Sequence, residues 1–99
     1  MTKAVADFHT HTFLSDGVLS PCELIHRASL NGYQIIGVTD HVGIGTMERV
    51  LRELREECRL AEKYWAIKTL VGVELTHVPA AAIADLAKQA KRLGADLVV

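Results

Sequence analysis

The sequence is poor in cysteine, proline and aromatic residues. It has two cysteines, two prolines and 5% aromatic residues in 99 positions. Cys22 and Cys58 lie in helix-like segments and form no CxxC pair, so we expect no disulfide framework and a reducing, cytoplasmic location. No run of about 18 to 20 apolar residues is present, and residues 1–7 lack the apolar core of a signal peptide, so we expect no membrane partner.

An excess of charge of one sign is also lacking. The chain has 11 Lys and Arg against 12 Asp and Glu, a formal net charge of -1. This balance removes the electrostatic reason to expect nucleic acid or an anionic membrane as a default partner. With 49% hydrophobic and 23% charged residues, the composition is that of a globular protein rather than a disordered one. The length allows one domain at most.

Apolar runs with strand character alternate with segments of helical periodicity. Strands are predicted at residues 4–8, 34–38, 70–73 and 96–99. The first helix is bounded by a capping box of Ser20 and Glu23, with Pro21 at its first position and Gly32 past its end. The second helix has an apolar stripe of Met47, Val50, Leu51, Leu54, Cys58 and Ala61. A third helix is predicted at residues 79–93, with a stripe of Ile83, Leu86, Ala87 and Ala90.

This alternation predicts an α/β fold with a parallel sheet and crossover helices. The fourth strand-like run reaches Val99, and an open four-stranded sheet would leave unpaired edges. A complete eight-unit barrel takes about 250 residues. We therefore expect residues 1–99 to be the N-terminal part, about four βα units, of a larger TIM-like barrel. A four-stranded domain that pairs with a copy of itself through its open edge is the alternative.

Polar side chains gather where the first three predicted strands end. They are His9 and His11, then Asp16 in the loop Ser15-Asp16-Gly17, then Thr39-Asp40-His41, and finally Glu74. Ligands and catalytic groups of parallel α/β folds converge at this edge of the sheet, so we expect these side chains to meet. His9 and His11 are two residues apart on a strand and point to the same face, and Asp7 shares that parity.

Imidazole and carboxylate side chains together are typical ligands of divalent transition metals. Imidazole suits zinc, iron and manganese-like ions, whereas carboxylate suits the harder ions and can bridge two of them. Two or three ions about 3.5–4 Å apart would stabilise a phosphoryl transition state and activate water as a hydroxide nucleophile. Turn chemistry explains any one of the motifs alone. Their joint position at one edge favours a metal site.

In order and spacing, these motifs resemble the start of the polymerase and histidinol phosphatase (PHP) superfamily. The resemblance covers essentially the whole chain and rests on residues 7–12, 15–17, 21–24, 37–41 and 72–74. It implies a distorted (β/α)7 barrel that holds two or three zinc, manganese or iron ions. It also implies phosphoester hydrolysis, with histidinol phosphate phosphatases as the best-known enzymes.

The resemblance implies five metal ligands in this chain and no catalytic residue beyond them. His9 and His11 would ligate one ion, Glu74 would bridge two, and Asp16 and His41 would hold a third. Asp16 stands where some members have histidine. Asp7, Asp40 and His77 are expected beside the ligands, with Asp40 as a supporting or turn residue. Further ligands of the family would follow Val99, so the activity of this chain alone is an open question.

The leading hypothesis is a metal-dependent phosphoesterase that hydrolyses a small phosphate monoester, with histidinol phosphate as the first candidate substrate. No Lys or Arg lies in residues 9–20, 39–46 or 74–78 to clamp a phosphate. One alternative is a PHP module of a DNA polymerase, the only case in which we expect nucleic acid. Others are a metallohydrolase of C–N bonds and a non-catalytic half barrel that acts by association.

Overall fold

The computed structural model describes residues 5–99, and it confirms the alternation of strands and helices. The strands are β1 (Ala6–Thr10), β2 (Ile35–Val42), β3 (Lys68–Leu75) and β4 (Leu97–Val98). The helices are α1 (Pro21–Leu30), α2 (Met47–Tyr64) and α3 (Ile83–Arg92), and a short 3-10 turn at Ala80–Ala82 precedes α3. Residue 4 of the first predicted strand, and residues 1–4 of the segment searched for a signal peptide, lie outside the described residues.

The structure contains the helix caps and buried stripes that the sequence predicts, with two differences. Ser20 Oγ accepts a hydrogen bond from the Glu23 amide at 3.2 Å, and Gly32 ends α1 with a φ of 85°. The capping box is half formed, because the Glu23 carboxylate accepts from Arg27 Nε at 3.0 Å instead. The predicted stripe of α2 is buried in full. Ile83 was expected on the buried stripe of α3 but is 47% exposed, since only β3 and the two-residue β4 lie under that helix.

The four strands form one parallel sheet in the order β1-β2-β3-β4. Side chains on one face, including Ile36, Val38 and Val73, pack against the helices in a single core. On the other face the sheet curls, since Leu97 of β4 reaches over β3 to the position that a side chain at Gly37 of β2 would occupy. The result is a curled half-barrel, the N-terminal part of a TIM-like barrel, as predicted.

A β-bulge in β1 corrects the expectation that Asp7 shares the face of the two histidines. Asp7 pairs with Ile36 and Thr10 with Val38, so three steps along β1 oppose two steps along β2. An extra residue reverses the alternation of side chains beyond it. Asp7 and Thr10 therefore both line a cavity of about 300 Å³ beside α1, away from the histidine side chains.

Within residues 5–99, no helix combines the length and the apolar character needed to cross a bilayer.

Substitution of Gly72 tests the close packing of β4 on β3. An added Cβ at Gly72 would lie 2.4 Å from the carbonyl oxygen of Leu97, so β4 has to move. We expect Gly72→Ala to lower the free energy of unfolding by about 1–3 kcal/mol, measured by urea denaturation. Gly43→Ala is the matched control, because no atom lies within 4 Å of its added Cβ. Equal stability of the two variants would contradict the described contact of β3 with β4.

Candidate functional site

The carboxyl edge of the sheet brings the five predicted ligands together. His9 lies in β1 and His11 directly follows it, while Asp16 lies in the loop to α1. β2 and β3 run a few residues farther than predicted, and His41 and Glu74 are the next-to-last residues of their strands. The two are register partners in adjacent strands, which places their side chains on the same face.

The first group of ligand atoms comprises His9, His11 and Glu74, whose donor atoms lie within 4.8 Å of one another. Nε2 of His9 contacts Glu74 Oε1, and Nε2 of His11 lies 3.0 Å from the same oxygen. Two imidazoles therefore converge on one carboxylate oxygen. The shared face of the two histidines, predicted from their spacing, is confirmed by the contact of both rings with this oxygen.

The second group comprises His11, Asp16 and His41, so His11 belongs to both groups. Nδ1 of His11 lies 2.8 Å from Asp16 Oδ1, and Nε2 of His41 lies 3.1 Å from Asp16 Oδ2. The rings of His11 and His41 are 4.2 Å apart between centroids. The two oxygens of Glu74 also face different histidines. Oε2 lies 3.3 Å from His41 Nδ1, while Oε1 faces His9 and His11.

In their neutral form, the three imidazoles carry fewer N–H groups than they have ring nitrogens facing a carboxylate. Five imidazole nitrogens of His9, His11 and His41 lie within 3.3 Å of a carboxylate oxygen. A neutral imidazole carries one N–H, so three neutral rings supply three donors, and the remaining lone pairs face oxygen lone pairs. Divalent cations relieve this repulsion because imidazole nitrogen and carboxylate oxygen are both their ligands. The donor set therefore fits a site for metal ions.

Both site carboxylates are held in their ionised form. Burial by itself raises the pKa of Glu74, but its hydrogen bonds with His9 and His11 and the nearby imidazole charges outweigh it, and the pKa is lowered from 4.5. Burial likewise raises the pKa of Asp16, and His11 and His41 reverse that effect and lower it from 3.8. Anionic oxygens are the form that a cation requires.

Asp40 is a buried strand residue and not the turn residue that the sequence suggested as one option. Its side chain is fully buried on the helix side of β2. Oδ1 accepts hydrogen bonds from the Thr12 amide at 2.7 Å and the Ser15 hydroxyl at 2.5 Å, and Oδ2 accepts from the Thr12 hydroxyl at 2.8 Å. Ser15 Oγ in turn accepts from the His41 amide at 3.2 Å. Asp40 thus fastens the loop that carries Asp16 to the strand that carries His41.

Asp7 and His77, the other residues expected beside the ligands, differ in their contacts with the site. Asp7 Oδ1 accepts from the His9 amide at 3.0 Å, so it supports the backbone of a ligand although its side chain lies on the opposite face. His77 is exposed, has a φ of 55°, and belongs to neither group of ligand atoms among the described residues. Thr76 was not singled out from the sequence, yet its Oγ1 lies 2.6 Å from His41 Nδ1. Its position two residues after Glu74 was the available signal.

Neither cysteine has the properties of a nucleophile. Burial, followed by the charge and hydrogen bond of Glu57, raises the pKa of Cys22 although it lies at the start of α1. Burial also raises the pKa of Cys58 to about 11. Both thiols are free. Covalent catalysis by cysteine has no support at this site.

Comparison with known proteins finds one family. A family model described as PHP domain matches residues 7–98. An uncharacterized protein of Methanocaldococcus jannaschii is 44% identical over 94 residues, which cover 94% of this chain and 43% of that protein.

Two other relatives have names that state an activity. A 5′-3′ exoribonuclease of Haemophilus influenzae is 38% identical over 76 residues, which cover 77% of this chain and 24% of the relative. The DNA polymerase/3′-5′ exonuclease PolX of Bacillus subtilis is 33% identical over 79 residues, which cover 74% of this chain and 14% of that protein. The chain therefore spans less than half the length of each of these curated relatives.

Replacement of Asp40 by asparagine tests its role as the anchor of the loop. Asparagine replaces one of the two carboxylate oxygens with an NH₂ group. That group would face the hydrogen-bond donors of Thr12 or Ser15, from which the oxygen now accepts. We expect Asp40→Asn to lower the free energy of unfolding by about 1–3 kcal/mol in urea denaturation. Asp85→Asn, an exposed change in the first turn of α3, should stay within about 0.5 kcal/mol of wild type. An Asp40 variant as stable as this control would show that the anchor is dispensable.

Proposed function

Because the chain belongs to the PHP domain family, we propose that its protein is a metal-dependent phosphoesterase. One observation carries this proposal: the ligand atoms of five residues form two adjoining groups that share His11. The short contacts between imidazole nitrogens and carboxylate oxygens within each group support a pair of neighbouring metal positions. Such bound ions supply Lewis acidity and lower the pKa of water at a phosphate ester.

We assign the ligands as the geometry favours. His9, His11 and Glu74 hold one ion, and Asp16 and His41 contribute to another. Glu74 would contribute to both positions, since Oε1 faces His9 and His11 while Oε2 faces His41. Zinc, manganese and iron are the candidate metals because the ligands mix imidazole with carboxylate. The complete site holds two or three ions.

We further propose that residues 1–99 form the N-terminal portion of a larger barrel domain. The outer edges of β1 and β4 are unpaired with any other described strand. The relatives are all longer than the part they share with this chain. Later strands would then close the barrel and add ligands. Association of two copies through the same edges, and a half barrel without catalysis, are the competing possibilities. The free thiols of Cys22 and Cys58 support a cytoplasmic location.

A small phosphate monoester is the substrate that we propose, with histidinol phosphate as one candidate. The end of a nucleic acid strand is the second candidate, favoured by the names of the exoribonuclease and polymerase relatives. Residues 9–20, 39–46 and 74–78, which border the site, contain no Lys or Arg. A long polyanion is ordinarily held by such residues. These segments therefore supply no cationic side chain, either to hold an extended strand or to clamp a single phosphate.

Metal content tests the proposed ligands directly. We expect the purified protein to contain zinc, manganese or iron in near-stoichiometric amounts by elemental analysis. The double variant His9→Ala/Glu74→Ala should lose most of it, since it removes two donors from the first group. His26→Ala is the matched control, because His26 stacks on Trp65, with ring centroids 4.4 Å apart, outside both groups of ligand atoms. Folded wild-type protein without metal after incubation with these ions would refute the ligand assignment.

Hydrolysis assays distinguish the two candidate substrates. We expect chelator-sensitive release of phosphate from small monoesters, reduced at least about 100-fold in the His9→Ala/Glu74→Ala variant because the charge stabilisation by metal is lost. The His26→Ala variant should retain wild-type rates. Hydrolysis confined to the 5′ or 3′ ends of oligonucleotides would favour the nucleic acid candidate instead. No metal-dependent hydrolysis of either class by a metal-loaded protein would contradict the proposed activity.

A further inference from the structure

Among residues 5–99, His77 is the one residue other than glycine with a left-handed backbone conformation. Its φ is 55°, and it lies two residues after the end of β3. Both neighbours are anchored, because the Thr76 amide donates to the Val42 carbonyl oxygen at 3.1 Å and Val78 packs against the hydrophobic core. Glycine adopts this conformation without the steric penalty that a Cβ brings. A histidine there costs stability, and costs of this kind are concentrated at functional sites.

The anchored neighbours place His77 at the carboxyl edge of the sheet. Thr76 Oγ1 lies 2.6 Å from His41 Nδ1, and the Cα of His77 is one peptide unit, about 3.8 Å, from the Cα of Thr76. Glu74 precedes His77 by three residues. The imidazole of His77 is exposed, and among the described residues it belongs to neither group of ligand atoms. His77 therefore borders the candidate site and is open to solvent, but it is not one of the proposed ligands.

Hydrogen-bond donors for a phosphate group are scarce in the segments that border the site. Residues 9–20, 39–46 and 74–78 contain no Lys or Arg, and His77 is the one side chain in them with an N–H group besides the three candidate histidine ligands. The hydroxyl groups of these segments are all engaged in hydrogen bonds within the protein, in Thr10, Thr12, Ser15, Ser20, Thr39, Thr46 and Thr76. The ring of His77 has no hydrogen-bond partner among residues 5–99.

We propose that His77 is a substrate-binding residue whose imidazole N–H donates a hydrogen bond to an oxygen of the phosphate group. An imidazole carries at least one N–H group whether it is neutral or protonated, so the contact requires no particular protonation state. A hydrogen bond to a charged partner typically changes affinity by about 10- to 100-fold. The inference rests on the proposed function, because it takes the phosphate group to bind beside the candidate metal ligands.

Binding of inorganic phosphate to the manganese-loaded protein, measured by isothermal titration calorimetry, tests the proposal. We expect His77→Phe, which keeps an aromatic ring but has no N–H group, to bind phosphate about 10-fold more weakly than wild type. The manganese content of the two proteins should be equal by elemental analysis, since His77 is not a proposed ligand. His26→Phe is the matched control and should bind phosphate as wild type does, because His26 stacks on Trp65 outside both groups of ligand atoms.

The variant His77→Gly separates binding from folding. Glycine relieves the left-handed conformation at this position, so the variant should unfold at a urea concentration at least as high as that of wild type. We expect it to lose phosphate affinity to the same extent as His77→Phe. A glycine variant that unfolds at a lower urea concentration would show that the imidazole holds the loop, and the proposal would be wrong. Wild-type phosphate affinity in either variant, or a lower manganese content, would also overturn it.

The two proposals fail in different ways. Metal-loaded proteins that bind phosphate equally well with and without the imidazole refute the role of His77 alone. A wild-type protein that takes up no metal refutes the metal site, and phosphate titrations of the metal-free proteins then decide the role of His77. A wild-type protein that binds neither metal nor phosphate refutes both.

Discussion

The buried carboxylate of Asp40 is the interaction on which the geometry of the cluster depends. It has no solvent contact, and its two oxygens accept from the backbone and hydroxyl of Thr12 and from the hydroxyl of Ser15. A buried charge without such donors would be very costly, so the loop after β1 has to close over it. Since His11 precedes Thr12 and Asp16 follows Ser15, closure of the loop positions two of the five candidate ligands. The same network reaches the amide of His41 through Ser15.

The second constraint is the parallel sheet, which makes side chains distant in sequence into neighbours. The register of β2 and β3 places His41 beside Glu74, and the curl of the sheet directs them toward the histidines of β1. The helix face of the sheet carries the hydrophobic core, and the candidate ligands lie on the opposite face at the carboxyl edge. The carboxylates of Glu74 and Asp16 stay ionised there, among the ring nitrogens of three histidines. This electrostatic arrangement is the physical basis for proposing cations there.

Much of the fold, and the convergence of the five candidate ligands, could be predicted from the sequence, because both depend on periodicity and on the shared edge of parallel strands. The buried stripe of α2 follows from helical geometry, and the convergence of His11, His41 and Glu74 follows from parallel strands that share one edge. The bulge that turns Asp7 to the other face was not predictable, since no glycine or proline marks it. The exposure of Ile83 depends on how little sheet lies under α3, which helical periodicity does not encode.

The supporting residues were the least predictable part of the site. Asp40 was expected as a supporting or turn residue, and Thr76 was not singled out. Both act through hydrogen bonds between segments that are distant in the sequence, which local patterns do not reveal.

Anomalous diffraction from crystals grown with zinc or manganese tests the central claim most directly. The account predicts peaks roughly 2.0–2.3 Å from the nitrogens of His9 and His11 and an oxygen of Glu74, with a second peak between Asp16 and His41. Ordered side chains in this geometry with no peak among them, or peaks only at other residues, would contradict it.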